Sequence, residues 1–491
     1  MGKTRQYTCN SVDGKDPAMP TFPYKNAADY GFLPGSDADA NTAALQNALN
    51  GGGTVVIGQP GTYDLSGTIL LDSYTTLECG NGVFIRRVPT KTTGCCSYAF
   101  VNRGAYTRTW DTNITITGLR LICNGNHAMG DTSGLPKRED GWEHPGDHIM
   151  GLRGQVSFFY CRNVVIRDFV CMDIVTPSYG IQICTFENFL LENAWIEGEK
   201  DGVHLGRGSK FTIRDCRFRT FDDPIALNAF DYTSSNPQMG WIEDGVIENC
   251  YDLHQDSTVG YFCRILGGCW KRWEPGMMIR HSDAVIHNGR MYRVQMQVDG
   301  TKYTSVTPPD FERGFRVLDG INWYMCQDDG EIFDCGCRNI HFKDIFLQKK
   351  RDIAIAINFE DNDYAHSIYP GAALPVQEDI VLENIFFEAD LSHLLRANTP
   401  VNCVKVLNSV IRDCDILLNT LDPLEGADWG HTDLLLYGNT WKSSSDRTLV
   451  ACDGERTASV KIGASVVQGD FRPKYRGNIT LQETDIPLEK E

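Results

Sequence analysis

What this chain lacks narrows it first. No apolar run approaches the ~18 residues that a helical membrane span needs, and no basic block stands out against a formal net charge of −18. Nucleic acid and anionic membranes are poor partners for such a surface. An acidic polysaccharide would be repelled too, unless a local basic pocket offset the field. The opening MGKTRQYTCNSVDG has no apolar signal-peptide core. The expectation is a cytoplasmic protein, or a secreted one whose signal has been removed. Cysteine is plentiful, at 18 residues, yet no CxxC pair occurs. Cys95-Cys96 are adjacent, and Cys335 and Cys337 flank one glycine, neither with a matching second half, so no zinc site is expected. Cys171, Cys184, Cys216 and Cys250 fall inside apolar strand patterns and read as small, reduced core residues. No cofactor and no metal are implied.

Helical periodicity is also nearly missing. One short helix is predicted over Ala43–Asn50, with N-cap oxygens offered by Asp39 to Thr42 and a stop at three glycines. Strands are predicted over Thr54–Ile57 and Thr68–Leu71, separated by a Pro60-Gly61 turn. From about Leu77 a loose repeat takes over: apolar, charged, Asp or Asn, apolar. Its copies begin at Ile166, Leu191, Ile213, Ile247, Phe342, Leu382 and Ile411, with a weaker one at Ile116. Successive copies lie 25 and 22 residues apart where nothing is inserted. A period near 20–25 with β-branched strands and Asn/Asp turns is the mark of a β-solenoid. The repeated Asn and Asp side chains are expected to bond neighbouring backbone or the same position one coil on. The fold expected is therefore all-β: a parallel β-helix over residues 28–491, preceded by an irregular lead-in over 1–27 and closed at its start by the helix.

A gap of 95 residues in the repeat holds an insertion, about 270–330. Asn288-Gly289 and Asp299-Gly300 each sit between strand-like runs and read as hairpin turns of a small antiparallel β module. Trp270, Trp273, Tyr292, Tyr303, Trp323 and Tyr324 form that module's own core, or a platform for sugar rings. Loops around 130–150 and 230–245, with the module, are expected to wall a cleft. Trp142, His144 and His148 belong to the first loop and match no metal-ligand spacing.

The stretch that organises the chain is KDGVHLGRGSKFTIRDCRFRTFDDPIALNA, Lys200–Ala229. Val203-His204-Leu205 and Ile225-Ala226-Leu227 are one coil apart, at 22 residues, and each follows an acidic turn. Stacking at about 4.8 Å would set Asp201 beside Asp223, with Asp222 next to both. Like charges so close split their pKa values, which is costly for structure and useful for acid/base chemistry. Strand alternation puts Gln182, His204, Ala226 and Arg264 on one outward row. With Tyr179, the polar members Gln182, His204 and Arg264 are the candidate substrate contacts.

Leu152–Ala229 resembles the central coils of the polygalacturonase-like glycoside hydrolases of family 28. VSFFYCRNVVIRDFVCMDIVTPSYGIQIC is similar to their strand and Cys-x-Asn-Val turn, DGVHLG to their Asn-Thr-Asp-Gly motif from the aspartate onward, and FDDPIALN to their Gly-Asp-Asp-x-Ile-Ala motif. The DYGF…TAALQNAL…GGGTVVI…GTY beginning is similar as well. The resemblance implies a right-handed helix and an inverting hydrolysis. In it Asp222 is the general acid, and Asp201 and Asp223 hold and deprotonate the attacking water. The family's Gly-His-Gly is absent here, where the chain reads MGWIEDGVIENC, and so is its Arg-x-Lys pair. His204 stands where the family has an acidic subsite residue. The expected substrate is thus an oligosaccharide or polysaccharide, neutral or differently charged, rather than polygalacturonate. The competing readings are a polysaccharide lyase, which needs a basic residue and usually Ca²⁺, a sugar-ring transferase, and a non-catalytic glycan-binding spike.

Overall fold

The structure is a computed structural model that describes residues 24–88, 98–125, 148–421 and 427–491. It is a right-handed parallel β-helix. Ile116, Ile166, Leu191, Ile213, Ile247, Phe342 and Leu382 pair in that order from coil to coil. All are fully buried and line the inside of the solenoid. The repeat read from the sequence is thus the register of one face. Its third position is a corner: Asp168, Asn193, Asp215, Asn249, Asp344 and Asn384 all have φ between 50° and 57°. Asn and Asp tolerate this left-handed conformation better than other side chains with a Cβ. They also bond along the stack, since Asn193, Asn249 and Asn384 donate their amides to Asp168, Asp215 and Asp344 at 2.6, 2.6 and 2.9 Å.

A second stacked corner, at Asn113, Asn163, Asn188, Asp244 and Asn339, follows the same rule and is absent from the sequence reading. The copy at Ile411 is out of register. Leu382 pairs with Val406, whereas Ile411 pairs with Trp441 in a separate three-stranded sheet. Val406-Leu407-Asn408 turns the corner there, with no charged residue at its second position to announce it.

The helix runs Ala38–Leu49 and starts five residues earlier than predicted, because Asp37 and not Asp39 caps it. Thr42 lies inside it, its hydroxyl bonding the Ala38 carbonyl at 2.7 Å. Ala44, Leu45, Ala48 and Leu49 are buried and close the end of the solenoid. A strand Tyr24–Asn26 already pairs with Gly53–Ile57, inside the stretch read as irregular lead-in. Another, Gly61–Leu65, begins at the expected turn.

The insertion forms a five-stranded sheet in the order Lys271–Arg272, Ala284–His287, Arg290–Val294, Ile321–Gln327, Phe315–Leu318. All its pairings but the first are antiparallel. Asn288-Gly289 is a hairpin turn; Asp299-Gly300 is not, since the next strand, Tyr303–Ser305, pairs with Met277–Ile279. The second hairpin turns at Asp319-Gly320, where both residues have positive φ. Trp273, Tyr292 and Trp323 are buried together and Tyr303 packs against them, so these aromatics are the module's core and no sugar platform. Trp270 and Tyr324 are buried in the main core.

Candidate active site

Val203–Leu205 pairs with Ile225–Asn228, His204 opposite Ala226. The residues just before these strands continue the ladder: the Gly202 amide donates to the Asp223 carbonyl at 2.9 Å, and the Gly180 amide to the Asp201 carbonyl at 3.0 Å. That register brings Asp201, Asp222 and Asp223 together, with one oxygen of each within 4.8 Å of the others. Asp201 and Asp223 are 1 % and 2 % exposed, whereas about a fifth of the Asp222 side chain reaches the surface. Only Asp222 is therefore open to a bulky substrate without rearrangement.

The cation held by this cluster is internal. Lys200 contacts Asp222 and lies 3.7 Å from Asp201. Burial disfavours its charge, but the two carboxylates outweigh that and keep it protonated. The aspartates themselves differ. Burial would push Asp201 up, yet Lys200 and a hydrogen bond from His204 overcome it and hold its carboxyl down to about 2. Burial, and after it the charge of Asp222, push Asp223 up to about 8 against the pull of Arg264. The cluster thus retains a proton at neutral pH beside a carboxylate that stays ionised.

The loop Val259-Gly260-Tyr261 packs on the pair. The Tyr261 amide donates to Asp223 Oδ1 at 2.8 Å. Gly260 has φ +77°, and a Cβ there would fall 2.7 Å from Asp222 Oδ1 and 2.8 Å from Asp223 Oδ1. Behind the loop, Lys349 donates to the carbonyls of Thr220 and Phe221 at 2.9 and 2.7 Å. Arg351 donates to those of Val259 and Asp222 at 2.8 and 3.2 Å while paired with buried Asp252. Burial, helped by Arg351, lowers Lys349 to about 7.

The outward row is present: Gln182 pairs with His204, which pairs with Ala226, which pairs with Arg264. It is roofed rather than open, and this changes the reading of its members. Gln182 is fully buried, its amide donating to the Gly151 and Ser235 carbonyls and its oxygen accepting from the Arg153 and Gly154 amides. That saturates it with backbone and leaves nothing for a substrate. Tyr179 is buried, with its hydroxyl on Ser235 and its ring stacked on His204 at 4.3 Å. His204 has no exposed surface. Arg264 is the one partly open member, and it already serves Asp223, Asp231 and Glu360 at 3.3, 3.5 and 3.0 Å.

Lys200, Asp231 and Glu360 were missed from the sequence. For Lys200 the signal existed, since it precedes Asp222 by the same 22 residues that separate Asp201 from Asp223. Trp142 and His144 lie outside the described residues. His148 sits 3.3 Å from the Tyr98 hydroxyl. The predicted core cysteines Cys171, Cys184, Cys216 and Cys250 are buried free thiols.

No family model and no curated protein matches this chain. Solved structures do. A family 28 exopolygalacturonase of Yersinia enterocolitica is similar over 95 % of this chain and 78 % of its own, at 13 % identity and a TM-score of 0.45. The A-module of a mannuronan C-5 epimerase of Azotobacter vinelandii is similar over 93 % and 100 %, at 12 % identity and 0.43. A surface adhesin of Streptococcus pneumoniae is similar over 95 % and 93 %, at 14 % identity and 0.41. A β-helix fixes no chemistry by itself, so the chemistry of this chain has to be read from its own site.

Proposed function

We propose that this protein is a glycoside hydrolase that cleaves an oligosaccharide or polysaccharide at Asp201, Asp222 and Asp223. The observation that carries the reading is the meeting of three carboxylates, two of them buried, where Lys200 and His204 hold Asp201 down and burial pushes Asp223 up. Asp222, at the mouth, passes on to the glycosidic oxygen the proton that the cluster holds at Asp223. Asp201 and Asp223 hold the water that attacks the anomeric carbon, and Asp201 takes its proton. The reading extends to a neutral sugar. Lys200 and Arg264, the cations beside the trio, are engaged by carboxylates, and Asp231 and Glu360 add to the negative charge. A uronate would meet repulsion there.

One observation favours a second stereochemistry. Inverting glycosidases usually separate their two carboxyl groups by ~6.5–9.5 Å and retaining ones by ~5–5.5 Å; here the oxygens fall within 4.8 Å. A retaining reaction with a covalent glycosyl-aspartate is thus the alternative. A screen of oligosaccharides with the wild type and Asp222→Asn, reading product anomer by NMR, tests both. An inverted reducing sugar that disappears in the variant supports the proposal, and a retained anomer supports the alternative. An unsaturated product points to a lyase and a cyclised one to a transferase. Full turnover in Asp222→Asn would remove Asp222 as the acid.

A further inference from the structure

Below the trio lies a closed ring of buried charge that the hydrolase reading does not by itself require. His204 Nδ1 is 3.1 Å from Asp201 Oδ2, and His204 Nε2 is 3.8 Å from Asp231 Oδ2. Asp231 lies 3.5 Å from Arg264, and Arg264 lies 3.3 Å from Asp223, which returns to Asp201 through the trio. Asp231 is anchored in turn by the Asn228 amide at 2.6 Å. The imidazole plane is fixed by the Tyr179 ring, stacked at an interplanar angle of 12°. His204 is therefore held by a hydrogen bond on its Nδ1 edge and by stacking on one face, with Asp231 near its other edge. Asp201 is left asymmetric: Oδ2 accepts from His204, while Oδ1 is buried and makes no hydrogen bond among the described residues.

We infer that His204 is a positioning residue for the reaction proposed above: by occupying Oδ2 it turns Oδ1 of Asp201 toward the attacking water and makes that aspartate the base. The step balances simply. The water O–H bond breaks, its proton passes to Asp201 Oδ1 and its oxygen bonds the anomeric carbon; the glycosidic C–O bond breaks, and the leaving oxygen receives through Asp222 the proton that the cluster holds at Asp223. His204 exchanges no proton; its Nδ1–H stays on Oδ2 throughout. The charged groups facing this arrangement are Asp222 and Asp223 from the trio, Lys200 beside it, and Asp231 and Arg264 from the ring. Beyond Tyr179, Arg153 stands over Tyr232 at 5.0 Å. None of these donates to Oδ2 of Asp201, so His204 is the group whose removal releases it.

The test uses the whole chain with aspartates ¹³C-labelled at the side-chain carboxyl, the Asp201 signal being assigned by its loss in Asp201→Asn. An asparagine amide overlays Nδ1 of histidine, whereas a glutamine amide overlays Nε2. His204→Gln should therefore raise the Asp201 titration midpoint by about one pH unit or more, the order of one lost charge-assisted hydrogen bond. His204→Asn should bring it back toward the wild type. The acidic limb of kcat/KM on the glycan found by screening should move up by the same amount in His204→Gln and not in His204→Asn. Equal midpoints in both variants, with circular dichroism unchanged, would overturn the inference. Because the carboxyl titration needs no substrate, a shifted midpoint in a protein that cleaves no glycan removes the hydrolase reading and leaves the positioning in place. A cleaving enzyme with an unmoved midpoint does the reverse.

Discussion

The same coils stack aspartate on two sides, and the two stacks obey opposite rules. At the corner ladder an Asp alternates with an Asn. Asp168 faces Asn193 and Asp215 faces Asn249, each amide neutralising part of one carboxylate's demand. At the trio Asp201 faces Asp223 with Asp222 alongside, and the pair at the centre is buried. An Asp–Asn ladder stabilises a left-handed corner with no net repulsion. Buried Asp on Asp costs stability and separates the proton affinities of its members. Where one fold uses both arrangements within a single coil, the costly one marks the place for chemistry.

Removing the charge from each stack should break the symmetry between them most sharply. Asp222→Asn should lower turnover by about 10²–10⁴-fold, the range of a lost general acid, without changing the circular dichroism. Asp215→Asn, on the ladder, should leave turnover at the wild-type level, because an asparagine oxygen still accepts from Asn249. Equal losses in both would mean that the trio, too, is structural. Next in size is the clamp behind the trio. Arg351 and Asp252 are both fully buried, 2.6 Å apart. Arg351→Met strands the carboxylate and releases the carbonyls of Val259 and Asp222. The expected loss is about 3–5 kcal/mol, as for one partner removed from a buried pair, read as a large fall in Tm.

How much of this was legible follows from what each signal depends on. The ladder was readable because its tetrad carries a charge and an Asn or Asp at a fixed offset, and it fails at Val406-Leu407-Asn408, where the charge is missing. The trio was readable because two acidic turns, each just before a strand triplet, lie one coil length apart. Lys200 obeyed that rule and was passed over. What no periodicity carries is the roof. Outward alternation on Gln182, His204 and Arg264 is correct in register, but whether outward means solvent depends on loops from elsewhere in the chain. Ser235 and Gly151 cover Gln182, and Glu360 closes on Arg264. Asp231 and Glu360 belong to such loops, and no spacing announces them.

A gentler way to sharpen the comparison is pH. Asp223 has a folded value of about 8, above its unfolded value near 3.9. The native state therefore binds its proton more tightly than the unfolded chain. The stability this group contributes is fully present below pH ~4 and is lost as pH rises through 8. Asp201, at about 2, runs the other way; its contribution is present above pH ~4 and is lost as pH falls through 2. Asp223→Asn should thus gain in Tm relative to the wild type on going from pH 4 to pH 8. A Tm difference that stays flat over that window would place the proton elsewhere.

The smallest effect is expected from making the ladder imitate the trio. Asn193→Asp, between Asp168 and Asp215, sets carboxylates side by side in two pairs at a corner open to solvent, with the geometry of the stack otherwise kept. Water and salt screen such a pair, whereas the trio is shielded from both. The variant should therefore show a slight fall in Tm that moderate salt restores, with no change in turnover. If salt left the deficit untouched, the loss would lie in the amide hydrogen bond and not in charge. Stacked aspartate would then be dangerous to this fold only where burial removes the solvent, which is the condition met at Asp201 and Asp223 and not at Asp168.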